Sequence, residues 1–535
     1  MWNQKFSRQD SLRGTLSAAR SCYDVKFYDL NVKVDVSRKF IAGTNAIKFV
    51  ALRDFSLMQI DLFSNMTLKS ISYENRKVGF RRDGNAIFIT LPKQKKGATG
   101  NILIEYEGTP TEALNPPWKG GFVWKKDKNG KPWVGVACEG LGASCWWPNK
   151  DHLSDEPDSM RIRVAVPDGL FCVSNGNLRS RKSRDDGYAD FEWFVSYPIN
   201  NYNVTLNIAD YIRIADTYTA SDSSKLELEF YCLPYNFNKA NLQFKQVKPM
   251  LKAYEHYFGK YPFWNDGYCL VETSYLGMEH QGAIAYGNQY KKGYLGGRIP
   301  EGMDWDYIII HESGHEYFGN SLSCTDHAEM WLHESFTTYM EALYVEYTMG
   351  FSEAIRYLES QRNDIFNEDP IVGPLKVNFD NWRGSDSYYK GSWMLHTLRS
   401  SINNDPLFFK LLRQFYESHE HGFATTEDFI ALTNKLTQKD FSSFFKQYLY
   451  RPEIPVLKYY VKQHKKGVML FYRWEKVVEN FKMPIRVGDA GNYISIVPSN
   501  KWQKVYLRNC SKNEMVVPTQ LFLIEKEKVL AEPKF

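Results

Sequence analysis

His311-Glu312-Ser313-Gly314-His315 sets two imidazoles four positions apart, with a glutamate beside the first. On a helix, positions i and i+4 share a face, so both rings can reach one metal ion. Glu312 is not a ligand in such a motif. It is placed to hold an attacking water, take its proton and pass that proton to a departing amine. The apolar run Tyr307-Ile308-Ile309-Ile310 just ahead suits a helix buried inside a domain. The motif arises by chance at a frequency on the order of 1% in a chain this long, so a third ligand is needed. Glu334 follows His315 with 18 residues between them, enough for a helix, a turn and a second, antiparallel helix. Two histidines and a carboxylate, with a fourth position open, make a catalytic zinc set. His333 and His327 are rival ligands, although a helix directs His333 to a different side from Glu334. Glu341, seven residues after Glu334, recurs on the same helix face. It either orients a ligand histidine from behind or lies on the surface. The variant motif with a third histidine close behind is absent, since Phe318 and Ser321 stand at its positions.

Three regions must position these groups. Up to about residue 215 the chain alternates with period two, as in "KFYDLNVKVDVS" and "GNILIEYEG", and reads as an all-β domain, 1–215. Helical spacing dominates from 216 to 450. There "KANLQFKQVKPMLKAYEHYFGKY" predicts one helix whose Leu242, Phe244, Val247, Leu251 and Tyr254 share a face. Pro452 and Pro455 break the pattern, and 451–535 alternates again, as expected of a small β-sandwich. At 535 residues the chain exceeds what one core usually serves.

An H-E-x-x-H, 18 residues, then E, with a G-x-M-E-type element upstream in "GMEHQGAIAYGN" from Gly277, resembles the zinc aminopeptidases of the aminopeptidase N and leukotriene A4 hydrolase family. The resemblance covers most of the chain and is similar to bacterial members in "EGLGASCWWPNKDHLSDEPD" and "RPEIPVLKYY". It implies a multidomain α+β fold: a β-rich, saddle-like N-terminal domain, a thermolysin-like, mainly helical catalytic domain and a C-terminal β-sandwich. It implies one Zn2+ held by His311, His315 and Glu334, with Glu312 as general base. It also implies a tyrosine in a Y-x-K-G setting that steadies the oxyanion. "SYYKGSWML" offers Tyr388, with Tyr389 as the alternative if the local register differs. A phenol donating to a developing oxyanion lowers the barrier where charge appears. By the same resemblance Glu279 binds the free α-ammonium of the substrate, Gly277 and Met278 lie along its backbone, and Glu139 assists from the N-terminal domain. His280 departs from the pattern, standing where asparagine is usual. It either replaces that amide as a neutral group or makes amine binding depend on pH. His333 and Ser335 also depart from the usual Asn and Gly.

The function this implies is release of N-terminal amino acids from peptides with a free N-terminus. The alternatives are a leukotriene-type epoxide hydrolase or a zinc endopeptidase with the same site, or an inactive scaffold, which the intact base and ligand positions disfavour. A net charge of +5 over this length excludes nucleic acid as the expected partner. No run of 18 apolar residues predicts a membrane span. The start "MWNQKFSRQDSLRG" lacks an apolar signal core, so the expectation is a soluble protein, cytoplasmic, or periplasmic or secreted if a leader has been removed. Eight cysteines without a C-x-x-C pair are expected to be free and mostly buried. Oligomeric state and the preferred N-terminal residue leave no mark in the sequence.

Overall fold

The structure, a computed structural model, describes residues 5–297, 299–489 and 492–533. The chain is a multidomain α+β protein with a β-rich N-terminal region, a helical middle and C-terminal β-sheets. Its residues gather into two compact units. One takes the described chain up to Ala328 with Pro374–Asp380 and His419–Phe423; the other takes Glu329–Gly373, Asn381–Ser418 and the chain from Ala424 on.

In the first unit an eight-stranded sheet is centred on Tyr23–Asp35 and Phe40–Ala51. Tyr23–Asp35 shows how the sequence encodes it. Tyr28, Leu30, Val32 and Val34 alternate inward, and all four are buried. A register shift between Val25 and Phe27 changes the phase, so that Tyr28 rather than Phe27 faces the core. Four- and three-stranded sheets complete the β-rich region.

A five-stranded sheet in the same unit carries the Gly277–Met278 segment. Its order is Ile212–Thr219, Lys225–Cys232, Tyr268–Glu272, Ile284–Tyr286, Gly277–Met278. Gly277–Met278 is therefore the edge, paired antiparallel with Ile284–Tyr286 on one side. The helix expected across Lys239–Tyr261 is present but interrupted. Phe237–Gln243 and Val247–Phe258 are α-helical, and Phe244–Gln246 between them is a 3₁₀ turn. Leu242 stands two positions before Phe244 and so faces the opposite side of the helix. Phe244, Val247, Leu251 and Tyr254 share the buried face as expected, whereas Leu242 is 69% exposed.

The second unit begins with the 19-residue helix Trp331–Met349, closed by Gly350 at φ 95°, and continues through Phe351–Gln361, Tyr389–Ile402, Asp405–Glu417, Thr426–Thr437 and Ser442–Tyr450. Arg399, nearly buried, joins two of these elements by pairing with Glu346 at 2.6 Å and Asp405 at 2.6 Å. The last helix stops just before Arg451-Pro452, as the proline demands. Beyond it lie a four-stranded sheet, ordered Gln503–Arg508, Gly467–Glu475, Val456–His464, Glu525–Lys528, and the hairpin Ile485–Asp489 with Asn492–Ile496. All eight cysteines are buried, and none is in a disulfide.

Candidate active site

The helix Tyr307–Gly314 is buried along its whole length. Asp306 caps it, accepting from the Ile308 amide at 3.0 Å. The same carboxylate accepts from the Tyr286 hydroxyl at 2.5 Å and the Asn288 amide at 2.8 Å. The start of the helix is thus fastened to the end of the strand Ile284–Tyr286. Burial pushes the Asp306 carboxyl up to about 6 against these donors.

His311 lies in the last turn and His315 at the C-cap, whose amide donates to the His311 carbonyl at 3.2 Å. The two Nε2 atoms face each other at 3.2 Å. Nitrogens each about 2.0–2.1 Å from one tetrahedral ion stand about 3.3 Å apart, so the pair fits a shared zinc ion. His315 Nδ1 lies 3.0 Å from the Phe318 carbonyl. A carbonyl can only accept, so Nδ1 carries the proton and Nε2 offers its lone pair. Glu316, next in the chain, is fully buried and accepts from the Gly282 amide at 3.0 Å and the Tyr261 hydroxyl at 3.1 Å. Burial outweighs those bonds and raises its carboxyl to about 8.

Glu279, Glu312 and His315 each offer a ligand-type atom within 4.8 Å of the others, and all three are buried. The edge strand explains the spacing. A Cβ on Gly277 would sit 2.5 Å from Glu312 Oε1 and 3.0 Å from Ile308 Cγ2. Glycine lets the backbone pass over the carboxylate. The segment after it is anchored at several points. The Tyr202 hydroxyl donates to Glu279 Oε1 at 3.0 Å, and the Asn320 amide donates to the Glu279 carbonyl at 2.7 Å.

His280 is completely buried, and neither ring nitrogen has a hydrogen-bond partner. Burial alone pushes its pKa down to about 3. Of the two roles open to it, this favours the neutral one. Glu139 follows the strand Pro132–Ala137, is partly exposed, and lines a small cavity together with Tyr202, Asp151, Arg13 and His327. His327 directs Nδ1 to the Phe379 carbonyl at 2.6 Å.

In the other unit Glu334 lies in the first turn of Trp331–Met349 and Tyr388 immediately precedes Tyr389–Ile402. The Tyr388 hydroxyl donates to Glu334 Oε1 at 2.8 Å. Close packing fixes this pair: a Cβ on Gly391 would be 1.7 Å from Ser335 Oγ, and that hydroxyl donates to the Ser387 carbonyl at 2.5 Å. Lys390 reaches the Arg451 and Pro452 carbonyls at 3.0 and 2.6 Å. Burial lowers its pKa to about 8. Tyr389 is raised by burial and by the nearby charge of Glu341. Glu341 is not a surface carboxylate. It is 1% exposed and accepts from the Tyr357 hydroxyl at 2.5 Å and Gln361 at 3.1 Å. His333 is wholly buried in the same helix. Tyr202, Asn320 and Glu316 escaped sequence reasoning. The "HEYFGN" run holds two of them, but nothing in it tells which partner each will meet.

A glycine-led edge strand thus passes beside the buried H-E-x-x-H helix. Residues 242–448 match the Peptidase family M1 domain. Aminopeptidase N of Caulobacter vibrioides is 26% identical over 316 residues, 56% of this chain and 36% of that protein. Aminopeptidase N of Lactobacillus helveticus is 25% identical over 471 residues, 81% of this chain and 51% of that protein. The chain thus spans between about a third and a half of the curated relatives it matches. An M1 zinc metallopeptidase from Deinococcus radiodurans, solved as a variant bound to a Tyr-Ser-Ala substrate, superposes with a TM-score of 0.67 at 19% identity, covering 83% of this chain and 97% of that one. That likeness establishes the fold. The resemblance read from the motifs is borne out, and among the described residues no helix is long and apolar enough to cross a membrane.

Proposed function

We propose that this chain is a zinc-dependent aminopeptidase that releases N-terminal residues from peptides with a free N-terminus. His311, His315 and Glu334 hold the zinc, which when bound supplies a Lewis acid for the scissile carbonyl and the attacking water. Glu312 takes a proton from that water and delivers it to the departing amine. The Tyr388 hydroxyl donates to the oxyanion as it develops. The unpaired edge of Gly277–Met278 receives the substrate backbone as an added strand. Glu279, with Glu139, binds the α-ammonium through charge-assisted hydrogen bonds.

The observation that carries this reading is the gathering of Glu279, Glu312 and His315 within 4.8 Å. A base and a metal-ligand type of side chain suffice for hydrolysis. A second buried carboxylate beside them favours a substrate that brings its own positive charge. The test is a panel of free-amine aminoacyl-arylamides, each beside its N-acetyl analogue, with and without a zinc chelator. Chelator-sensitive cleavage of the free amines alone is expected. Cleavage of the acetylated set would contradict the amine requirement, and chelator-insensitive cleavage would contradict the zinc.

A further inference from the structure

Glu279 is gripped at both ends by one short turn. Residues Asn201–Asn203 form a 3₁₀ turn capped by Asn200, whose side chain accepts from the Asn203 amide at 3.1 Å. From this turn the Tyr202 hydroxyl reaches Glu279 Oε1 at 3.0 Å. From the same turn Asn203 donates to Asn320 Oδ1 at 2.5 Å, and Asn320 donates to the Glu279 carbonyl at 2.7 Å. The turn is itself held, because Asn175 donates to the Asn203 carbonyl at 2.8 Å. Tyr202 is 3% exposed. It also lines, with Glu139, a cavity of about 20 Å³, room for one water-sized group.

We propose that Tyr202 is a positioning residue of the amine site: its hydroxyl fixes the Glu279 carboxylate at the angle and distance an ammonium needs, on the wall of the cavity it shares with Glu139. The proposal rests on the reading of Glu279 as the amine-binding carboxylate. A carboxylate on a flexible chain binds an ammonium less well than one already oriented, because ordering it then costs part of the binding. Burial and both neighbouring carboxylates push the Tyr202 phenol well above its usual range, so it stays a donor at working pH.

The test compares wild type, Tyr202→Phe, Glu279→Gln and the double variant. Two readings are taken: kcat and KM on an aminoacyl-arylamide, and the inhibition ratio between an α-amino hydroxamate and the same hydroxamate lacking the amine. Wild type should favour the amine-bearing inhibitor. In Tyr202→Phe that preference should fall about 10-fold and KM rise about 10-fold, the worth of one hydrogen bond to a charged group, with kcat changed less than about 3-fold. In the Glu279→Gln background Tyr202→Phe should add less than about 2-fold, since it acts through that carboxylate. A Tyr202→Phe enzyme that keeps the wild-type preference, or loses both inhibitors equally, would overturn the proposal while leaving the amine site in place. A wild type with no preference for the amine would overturn the amine site and this proposal together. If the phenylalanine variant does not fold, fluorotyrosine at position 202 alone keeps the shape and strengthens the donor. A changed preference at an unchanged melting temperature supports the assignment, and an unchanged one overturns it.

Discussion

The helix Tyr307–Gly314 and the edge segment from Gly277 to Gln281 contribute to the same chemistry by opposite routes. In the helix, function follows from local spacing: His311 and His315 meet at 3.2 Å because they are four residues apart on one turn. In the edge segment, residues distant in sequence hold the key residue. Glu279 takes its position from Tyr202, 77 residues earlier, and Asn320, 41 residues later. A motif repeats its geometry wherever it folds as a helix. The edge segment works only inside its particular surroundings, so substitution of its Glu279 should act on substrate binding and those in the helix on the chemical step.

That contrast can be broken most forcefully at Glu312. Glu312→Gln should lower kcat about 10³-fold, the loss of a general base, while metal analysis still finds one zinc per chain. Loss of zinc would mean that the helix couples ligand and base more tightly than its spacing implies. Gly277→Ala comes next. The added methyl meets Glu312 Oε1 at 2.5 Å, so the carboxylate must move aside, and a misplacement of about 1 Å at a reacting group costs about 100-fold. Steady-state kinetics should show kcat/KM falling by that order with the zinc content intact. Glu279→Gln should raise KM for free-amine substrates about 10-fold or more while sparing kcat relative to Glu312→Gln; a pure kcat effect would move Glu279 into the chemical step. His280→Asn should leave the pH dependence of KM unaltered between pH 5 and 8, since burial already holds His280 neutral, with its pKa at about 3. A KM profile that loses an inflection in this variant would restore His280 as a titrating group.

The smallest effect separates the site from its scaffold. Glu156 is fully buried against Ser323, whose hydroxyl donates to it at 2.7 Å. Burial raises its carboxyl from 4.5 to about 8. The folded state therefore binds the proton more tightly than the unfolded one. The stability this brings is complete below about pH 4.5 and is lost as pH rises through about 8. Glu156→Gln should raise the melting temperature by about 1–2 °C at pH 8.5 and leave it unchanged at pH 4.5. The reverse order would mean that the carboxylate is charged in the fold.

The sequence-level reading succeeded where spacing alone carries geometry. The H-E-x-x-H helix, the alternating strands and the proline-bounded end of Ser442–Tyr450 are all local patterns. It failed where the face of a helix was misread or a remote partner decides. Leu242 stands two positions before Phe244, on the opposite side of the helix from the buried face, and is exposed. Glu341 looked as suited to the surface as to the interior, and Tyr357 and Gln361 hold it inside. Tyr202 lies in "SYPINNYNVTLN", a stretch that reads as strand and turn. Its hydroxyl acquires a role through a partner that no window of the sequence contains.

The central claim is that a buried carboxylate beside the metal motif restricts hydrolysis to the end of a chain. It is tested most directly by following the digestion of one unmodified peptide of about ten residues by mass spectrometry. The account predicts a ladder of products, each shorter than the last by one N-terminal residue, and no cleavage of the same peptide when acetylated. Internal fragments appearing before the ladder, from either peptide, would contradict it.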